Sequence, residues 1–163
     1  MDCRKDFWLD MVSEWKKFEI YCEKFLKAVF DEQKWKIDSQ VAKEYKGGIT
    51  KKIDIHVRQS RVGGNGLIFD AKYYLKSDLP KKAVEDTYEY KDLSTASAAF
   101  ILCPRETKIS ASAKSEANKL GVEIIPVSYH RENTRNYHKL INSIRIKAGV
   151  KKKFKPKRWW WPW

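Results

Sequence analysis

Cysteine is scarce and scattered in this chain. Cys3, Cys22 and Cys103 are its three thiols, and their spacing matches no zinc-binding pattern. Cys22 and Cys103 lie inside apolar patterns, where a thiol behaves as a small hydrophobe, and neither has a nucleophile's partner set nearby. Long hydrophobic runs are missing: none approaches the ~20 residues of a membrane span. The first residues, Met1-Asp-Cys-Arg-Lys-Asp, lead into charged and aromatic positions rather than a signal-peptide core. An intracellular chain, in cytoplasm or nucleoid and neither secreted nor transmembrane, is therefore expected. Histidine is rare as well, and His130 and His138 have no catalytic partner in view. No internal repeat is present.

Acidic residues are also in short supply, 21 against 34 Lys and Arg, for a formal charge of +13. Six basic residues crowd into Lys151–Arg158, so +7 remains on the rest of the chain. A basic excess spread over body and tail favours a polyanionic partner, nucleic acid or an anionic membrane surface. The content of 42% hydrophobic and 34% charged residues describes a soluble globular protein. Its length suggests one domain, residues 1–150, followed by a basic, Trp-rich tail, residues 151–163.

Two runs alternate with the period of a strand: Lys52-Ile-Asp54-Ile-His56-Val57 and Leu67-Ile-Phe-Asp70-Ala-Lys72-Tyr-Tyr74. Alternation predicts Ile53, Ile55 and Val57 on one face and Asp54 and His56 on the other. In the second run Leu67, Phe69, Ala71 and Tyr73 share a face, with Asp70 and Lys72 opposite. Gly63-Gly-Asn-Gly66 supplies turn residues that let the two strands pair as a hairpin. Asp54, Asp70 and Lys72 then project together, two carboxylates and an ammonium able to hold a divalent cation and activate water. The bland alternative is an exposed cross-strand ion pair of Asp54 with Lys72. His56 could touch a phosphate or metal-bound water from the Asp54 face, although a lone His beside an acidic strand is more often a surface residue.

Around this hairpin, apolar spacing predicts a helix over 7–33, with Ser13 as a capping candidate. Glu23 falls in or beside its apolar stripe, where it serves a site or pairs with Lys27. Trp35 to Ala42 reads as a first strand, broken at Lys46-Gly-Gly48. Ser77-Asp78-Leu-Pro80 starts a helix, with the proline in its first turn, running to about Leu93. Ala98 to Cys103 is a strand covered on both faces and closed by Pro104. A helix from Ser110 to Leu120 stops at Gly121, a strand follows from Val122 to Val127, and a last amphipathic helix spans Glu132 to Lys147. Alternating strand and helix from 79 to 127 implies crossover connections and a parallel portion of the sheet. The expected class is α/β, a mixed central sheet of antiparallel hairpin strands plus parallel strands, flanked by helices.

On these residues the chain resembles the PD-(D/E)xK, or restriction-endonuclease-like, nucleases, nearest to Mrr-type restriction enzymes and archaeal Holliday-junction resolvases. The resemblance covers about residues 14 to 128. Glu23 to Trp35 resembles the family's first helix, Gly47-Gly48 with Ile53-Asp54-Ile55 the segment carrying the first aspartate, and Phe69-Asp70-Ala71-Lys72 the (D/E)xK strand. Ala98 to Cys103 and Val122 to Val127 resemble the parallel strands that close the core. Ile53 stands where the family's name has proline, and Glu19 competes with Glu23 as the helix acid.

The resemblance implies a Mg²⁺-dependent endodeoxyribonuclease, with Mn²⁺ as substitute. Asp54 and Asp70 become metal ligands with the Ala71 carbonyl, Glu23 holds the metal directly or through water, and Lys72 orients or activates water. Near cations the Lys72 pKa is expected to be depressed. A restriction or homing endonuclease is the first expectation. A junction resolvase or a non-catalytic nucleic-acid-binding module on the same fold is the alternative. The expected partner is double-stranded or branched DNA. One site cuts one strand, so a double-strand cut calls for at least a homodimer. Arg58, Gln59, Arg61 and Asn65 suit base-edge or phosphate contacts. Lys91 and Tyr88 follow on the next helix, and Lys151, Lys152, Lys153 and Arg158 in the tail. Four of the seven tryptophans occupy the last five positions. They suit base stacking or subunit docking, with a membrane interface the least favoured reading.

Overall fold

A computed structural model describes residues 13–30, 34–44, 48, 50–59, 66–128 and 142–146. Its elements run α1 (Glu14–Val29), β1 (Trp35–Glu44), β2 (Thr50–Gln59), β3 (Leu67–Ala71), α2 (Lys81–Ser94), β4 (Ala98–Pro104), α3 (Ala111–Leu120) and β5 (Val122–Val127). Residues 142–146 are helical and are the described part of the expected last helix. The tail and residues 60–65 of the hairpin connector lie outside the described residues.

The five strands are ordered β1-β2-β3-β4-β5. β1–β2 and β2–β3 pair antiparallel, β3–β4 and β4–β5 parallel. Short connections pair the first strands as neighbours, while α2 and α3 each carry a crossover to a parallel strand. β4 is an interior strand, between β3 and β5, and is buried along nearly its whole length, as its unbroken apolar run requires.

Each face of the sheet has its own core. On one, Phe18, Cys22, Phe25, Leu26 and Val29 of α1 meet Ile55, Val57, Leu67, Phe69, Phe100 and Leu102, with Ile144 added from 142–146. On the other, Ala83 and Val84 of α2 and Ala113 and Ala117 of α3 cover Ile53, Ile68, Ala99, Ile101 and Cys103. Small residues on α2 and α3 let these helices lie close to the sheet. Both described cysteines are buried, and burial pushes the Cys103 thiol up to about 12, leaving an inert core residue.

One expectation about the faces fails. Ile53 does not share a face with Ile55 and Val57 but packs in the opposite core. β1 does the same: Trp35 and Ile37 pack against the α1 side, Val41 against the α2–α3 side. Both strands change sides at one rung, where Gln40 faces Asp54 and the ladder lacks a pair between Ser39↔Ile55 and Val41↔Ile53.

Helix ends differ from expectation in detail. Phe30 is extended, so α1 stops short of residue 33. The Phe30 ring turns inward against Trp35 and Phe69, and Arg145 donates to the Val29 carbonyl at 2.6 Å. Ser13 stands at the α1 N-cap without a side-chain cap bond. Pro80 is the α2 N-cap rather than a first-turn residue. At α3 the Ser110 hydroxyl accepts from the Ala113 N–H at 3.1 Å. Gly121 closes that helix at φ 66, a conformation glycine takes without strain.

Candidate active site

The site forms where β3 ends and its two neighbours treat it differently. Parallel pairing with β4 continues through Asp70↔Ile101 and Ala71↔Leu102, and the Lys72 N–H still reaches the Leu102 carbonyl at 2.8 Å. Antiparallel pairing with β2 stops at Ile55↔Phe69. In the continued register the next pair is Asp54 and Asp70. Here the Asp54 Oδ2 accepts the Ala71 N–H at 3.0 Å, so a side-chain carboxylate satisfies a backbone donor that has lost its ladder acceptor.

Asp70 is 1% exposed. Its Oδ2 accepts from the Thr87 hydroxyl at 2.6 Å and meets Lys72 Nζ at 3.1 Å. Thr87 comes from the buried stripe of α2, and its Oγ1 also lies 2.8 Å from the Ala83 carbonyl. The one hydroxyl proton is divided between these two acceptors, Asp70 and the carbonyl four residues back along the helix, which holds the Thr87 rotamer. Asp70 is thus gripped from its own strand and from α2.

The electrostatics follow from this crowding. Burial, then the charge of Asp70 and a hydrogen bond with it, push the Asp54 carboxyl up to about 7 against the opposing Ala71 N–H. Glu19 adds to the rise. For Lys72, burial works against the ammonium, but Asp70, Asp54 and Tyr90 outweigh it and raise the pKa. The protein's own charges therefore act opposite to the lowering expected from a bound cation. Tyr90 is raised by burial and Asp70, with Lys72 opposing, which places its phenol in the same electrostatic neighbourhood.

Toward α1, Asp54 borders a cleft of about 30 Å³ with Glu19, Glu23, Ser39 and Gln40, room for about one water. Glu23 is engaged with Lys27 at 2.7 Å. The Lys27 hydrogen bond lowers its pKa, burial opposes, and Ser39 assists. Glu19 sits 2.6 Å from Lys16 Nζ and receives the Gln40 amide at 3.5 Å. Of the two helix acids, Glu19 is the one whose charge bears on Asp54. Among the described residues no three His, Cys, Asp or Glu side chains converge on one point. The donor set is two facing hard carboxylates, Asp54 and Asp70. That chemistry fits Mg²⁺, which binds through one or two carboxylates and keeps several waters.

Of the residues expected to meet DNA, Arg58 and Gln59 are exposed at the end of β2, Arg58 paired with Asp38. Lys91 lies 5.7 Å above the Tyr88 ring. Arg61, Asn65, Lys151, Lys152, Lys153 and Arg158 lie outside the described residues. His56 is buried rather than on the surface, and a Cβ added at Gly66 would come within 2.3 Å of its Nε2. Sequence reasoning missed Thr87, Tyr90 and Gln40. Thr87 had a signal, a polar residue in the buried stripe with Ala83 and Val84. Gln40 had none.

No family model and no curated protein matches the chain. Its fold is similar to that of solved structures. One is a protein of unknown function, AF1548, at TM-score 0.54 and 15% identity, covering 78% of this chain and 66% of that one. Another is Can2 from Sulfobacillus thermosulfidooxidans in complex with cyclic tetra-adenylate, at TM-score 0.54 and 10% identity, covering 80% and 36%. A repair endonuclease from Pyrococcus abyssi is similar at TM-score 0.46 and 20% identity, covering 71% and 48%. The chain thus spans from about a third to two thirds of the chains it resembles. The likeness is one of fold: a restriction-endonuclease-like mixed five-stranded sheet flanked by helices. No helix among the described residues is long and apolar enough to cross a membrane.

Proposed function

We propose that this chain is a metal-dependent DNA endonuclease of the restriction or homing type. The observation that carries this reading is the trio at the β2–β3 divergence: a buried Asp70 held by Thr87 and Lys72, facing an Asp54 whose carboxyl burial and the charge of Asp70 push up. Asp54, Asp70 and the Ala71 carbonyl would hold Mg²⁺, or Mn²⁺ in its place, with Glu19 or Glu23 reached through water. The ion would supply polarisation of the phosphoryl oxygen and a water of lowered pKa.

The side chains do the rest. Lys72, kept protonated by Asp70, donates to a non-bridging phosphate oxygen and offsets the charge that develops at phosphorus. In this state it is a donor rather than a base. Thr87 and the Ala71 N–H hold the two carboxylates in place, a task that needs rigid elements beneath it. Arg58 and Gln59, both exposed, would contact the duplex. Scission of both strands would require a second copy of the chain.

The test is cleavage of plasmid, linear duplex and four-way junction DNA with Mg²⁺, wild type beside Asp70→Ala and Lys72→Ala. Loss of about 10²-fold or more in both variants is expected. The substrate cut best separates a sequence reader from a resolvase. DNA binding without cleavage under Mg²⁺ or Mn²⁺ would replace the enzyme by a binding module. Glu19→Gln beside Glu23→Gln decides the helix acid, with the larger loss expected at Glu19.

A further inference from the structure

Gln40 has φ 55 in the middle of β1. A non-glycine residue with left-handed backbone inside a strand is an outlier that the surrounding structure must hold in place. Its position is informative. It lies opposite Asp54, at the gap in the β1–β2 ladder. Successive side chains Ser39 and Gln40 both turn to the α1 side, where Ser39 meets Glu23 and Gln40 meets Glu19. Val41 then emerges in the opposite core. β2 changes sides at the same rung, with Ile55 on the α1 side and Ile53 on the other.

An undisturbed antiparallel pair would keep Ile53, Ile55 and Val57 on one face and point Asp54 to the other, away from α1. The actual strands turn over together, and Asp54 is the residue on which they turn. There its carboxylate borders the cleft toward Glu19 while also receiving the Ala71 N–H and facing Asp70. We infer that Gln40 is a positioning residue whose left-handed backbone turns β1 and β2 over and so directs the Asp54 carboxylate into the site. The placement of Asp54 is independent of any chemistry; its consequence for cation binding rests on the nuclease reading above.

Backbone and side chain can be separated by substitution in the full chain. Valine resists left-handed φ, glycine takes it freely and asparagine tolerates it. The primary readout is hydrogen exchange at the Ala71 amide, measured by NMR, because that N–H is held by Asp54. In Gln40→Val, Ala71 exchange should accelerate about 10-fold or more as the bond to Asp54 is lost, and Mn²⁺ binding followed by electron paramagnetic resonance should weaken about 10-fold or more. Gln40→Gly and Gln40→Asn should stay close to wild type in both. If Gln40→Val does not fold, Gln40→Ala replaces it, with the same direction and a smaller change.

Unchanged Ala71 protection in Gln40→Val would overturn the inference. So would an equal loss in Gln40→Gly, because the side chain rather than the backbone would then matter. Wild type that neither binds Mn²⁺ nor cuts DNA, with Ala71 exchange following the expected order, would retire the nuclease reading and leave Gln40 in its role.

Discussion

The parallel and antiparallel halves of this sheet differ in composition, β1 and β2 carrying many charged and polar residues and β3 to β5 few, and they meet opposite demands. β3, β4 and β5 pair without a gap, from Leu67↔Ala98 to Ala71↔Leu102 and from Ala99↔Val122 to Pro104↔Val127. The β1–β2 ladder is interrupted at Asp54, and β2 leaves β3 at the same residue, past Ile55↔Phe69. The uninterrupted half presents Asp70 from a fixed strand. The interrupted half brings Asp54 to it. A rigid support on one side and a broken ladder on the other is how two like charges come to be buried face to face.

If that division of labour is correct, the largest stability losses belong to the parallel half. Phe100 is 2% exposed and stacks on Phe69 with ring centroids 4.7 Å apart. Phe100→Ala should cost about 3–5 kcal/mol, a large part of the ~5–15 kcal/mol typical of a domain. Val41→Ala, in the antiparallel half and only partly buried, should cost less than about 2 kcal/mol. Urea midpoints of the two variants measure the contrast, and comparable losses would break it.

The site at the seam should instead gain stability when its charge is removed. The folded Asp54 holds its proton to about pH 7 against an ordinary value of 3.8. Between those values the folded state binds more protons than the unfolded one, so stability falls as pH rises through this window. Asp54→Asn keeps an oxygen able to accept the Ala71 N–H and removes the repulsion with Asp70. It should raise stability by about 1–3 kcal/mol at pH 8, and the gain should vanish toward pH 4. Melting curves across that range measure it. Added Mg²⁺ should raise the melting temperature of wild type and leave that of Asp54→Asn nearly unchanged. A gain independent of pH would remove the repulsion argument.

A subtler effect is expected at the second grip on Asp70. Thr87→Val preserves shape in a fully buried position and removes the 2.6 Å hydrogen bond. Activity with Mg²⁺ should fall about 10–100-fold, and Thr87→Ser should restore most of it. Loss in both variants would assign Thr87 to packing alone.

The parallel half was also the legible half. Ala98 to Cys103 is an apolar run too dense for a half-exposed strand, and Ser110 with Gly121 mark both ends of α3 by local chemistry. The nearness of Asp54 and Asp70 was readable from the hairpin and from the alternation around Asp70, although the alternation expected around Asp54 fails. What alternation could not give was the turn-over at Gln40. No glycine, asparagine or proline marks it, because tertiary packing, with Ile53 and Val41 drawn to one core and Ile55 and Ile37 to the other, holds the backbone there. The choice between Glu19 and Glu23 was closed to the sequence for a related reason. Both lie at helical spacing with a lysine partner on α1 itself, and only the packing of α1 over β1 assigns Ser39 to Glu23 and Gln40 to Glu19.

The smallest predicted effects test the same comparison at the helix ends. Ser110 accepts the Ala113 N–H at 3.1 Å and caps α3, which packs on the parallel strands. Ser110→Ala should therefore cost about 1 kcal/mol, or roughly 2–4 °C of melting temperature for a domain of this size. Ser13 holds the equivalent position on α1 yet makes no side-chain cap bond, so Ser13→Ala should stay within about 0.5 kcal/mol of wild type. The α1 N-terminus is fastened elsewhere, by Phe18 against Tyr73 at 5.6 Å and the Glu14–Lys17 pair at 3.0 Å. Equal costs for the two serines would mean that α1, which carries both candidate helix acids, is held as firmly at its end as α3, and that the contrast between the halves is confined to the strands.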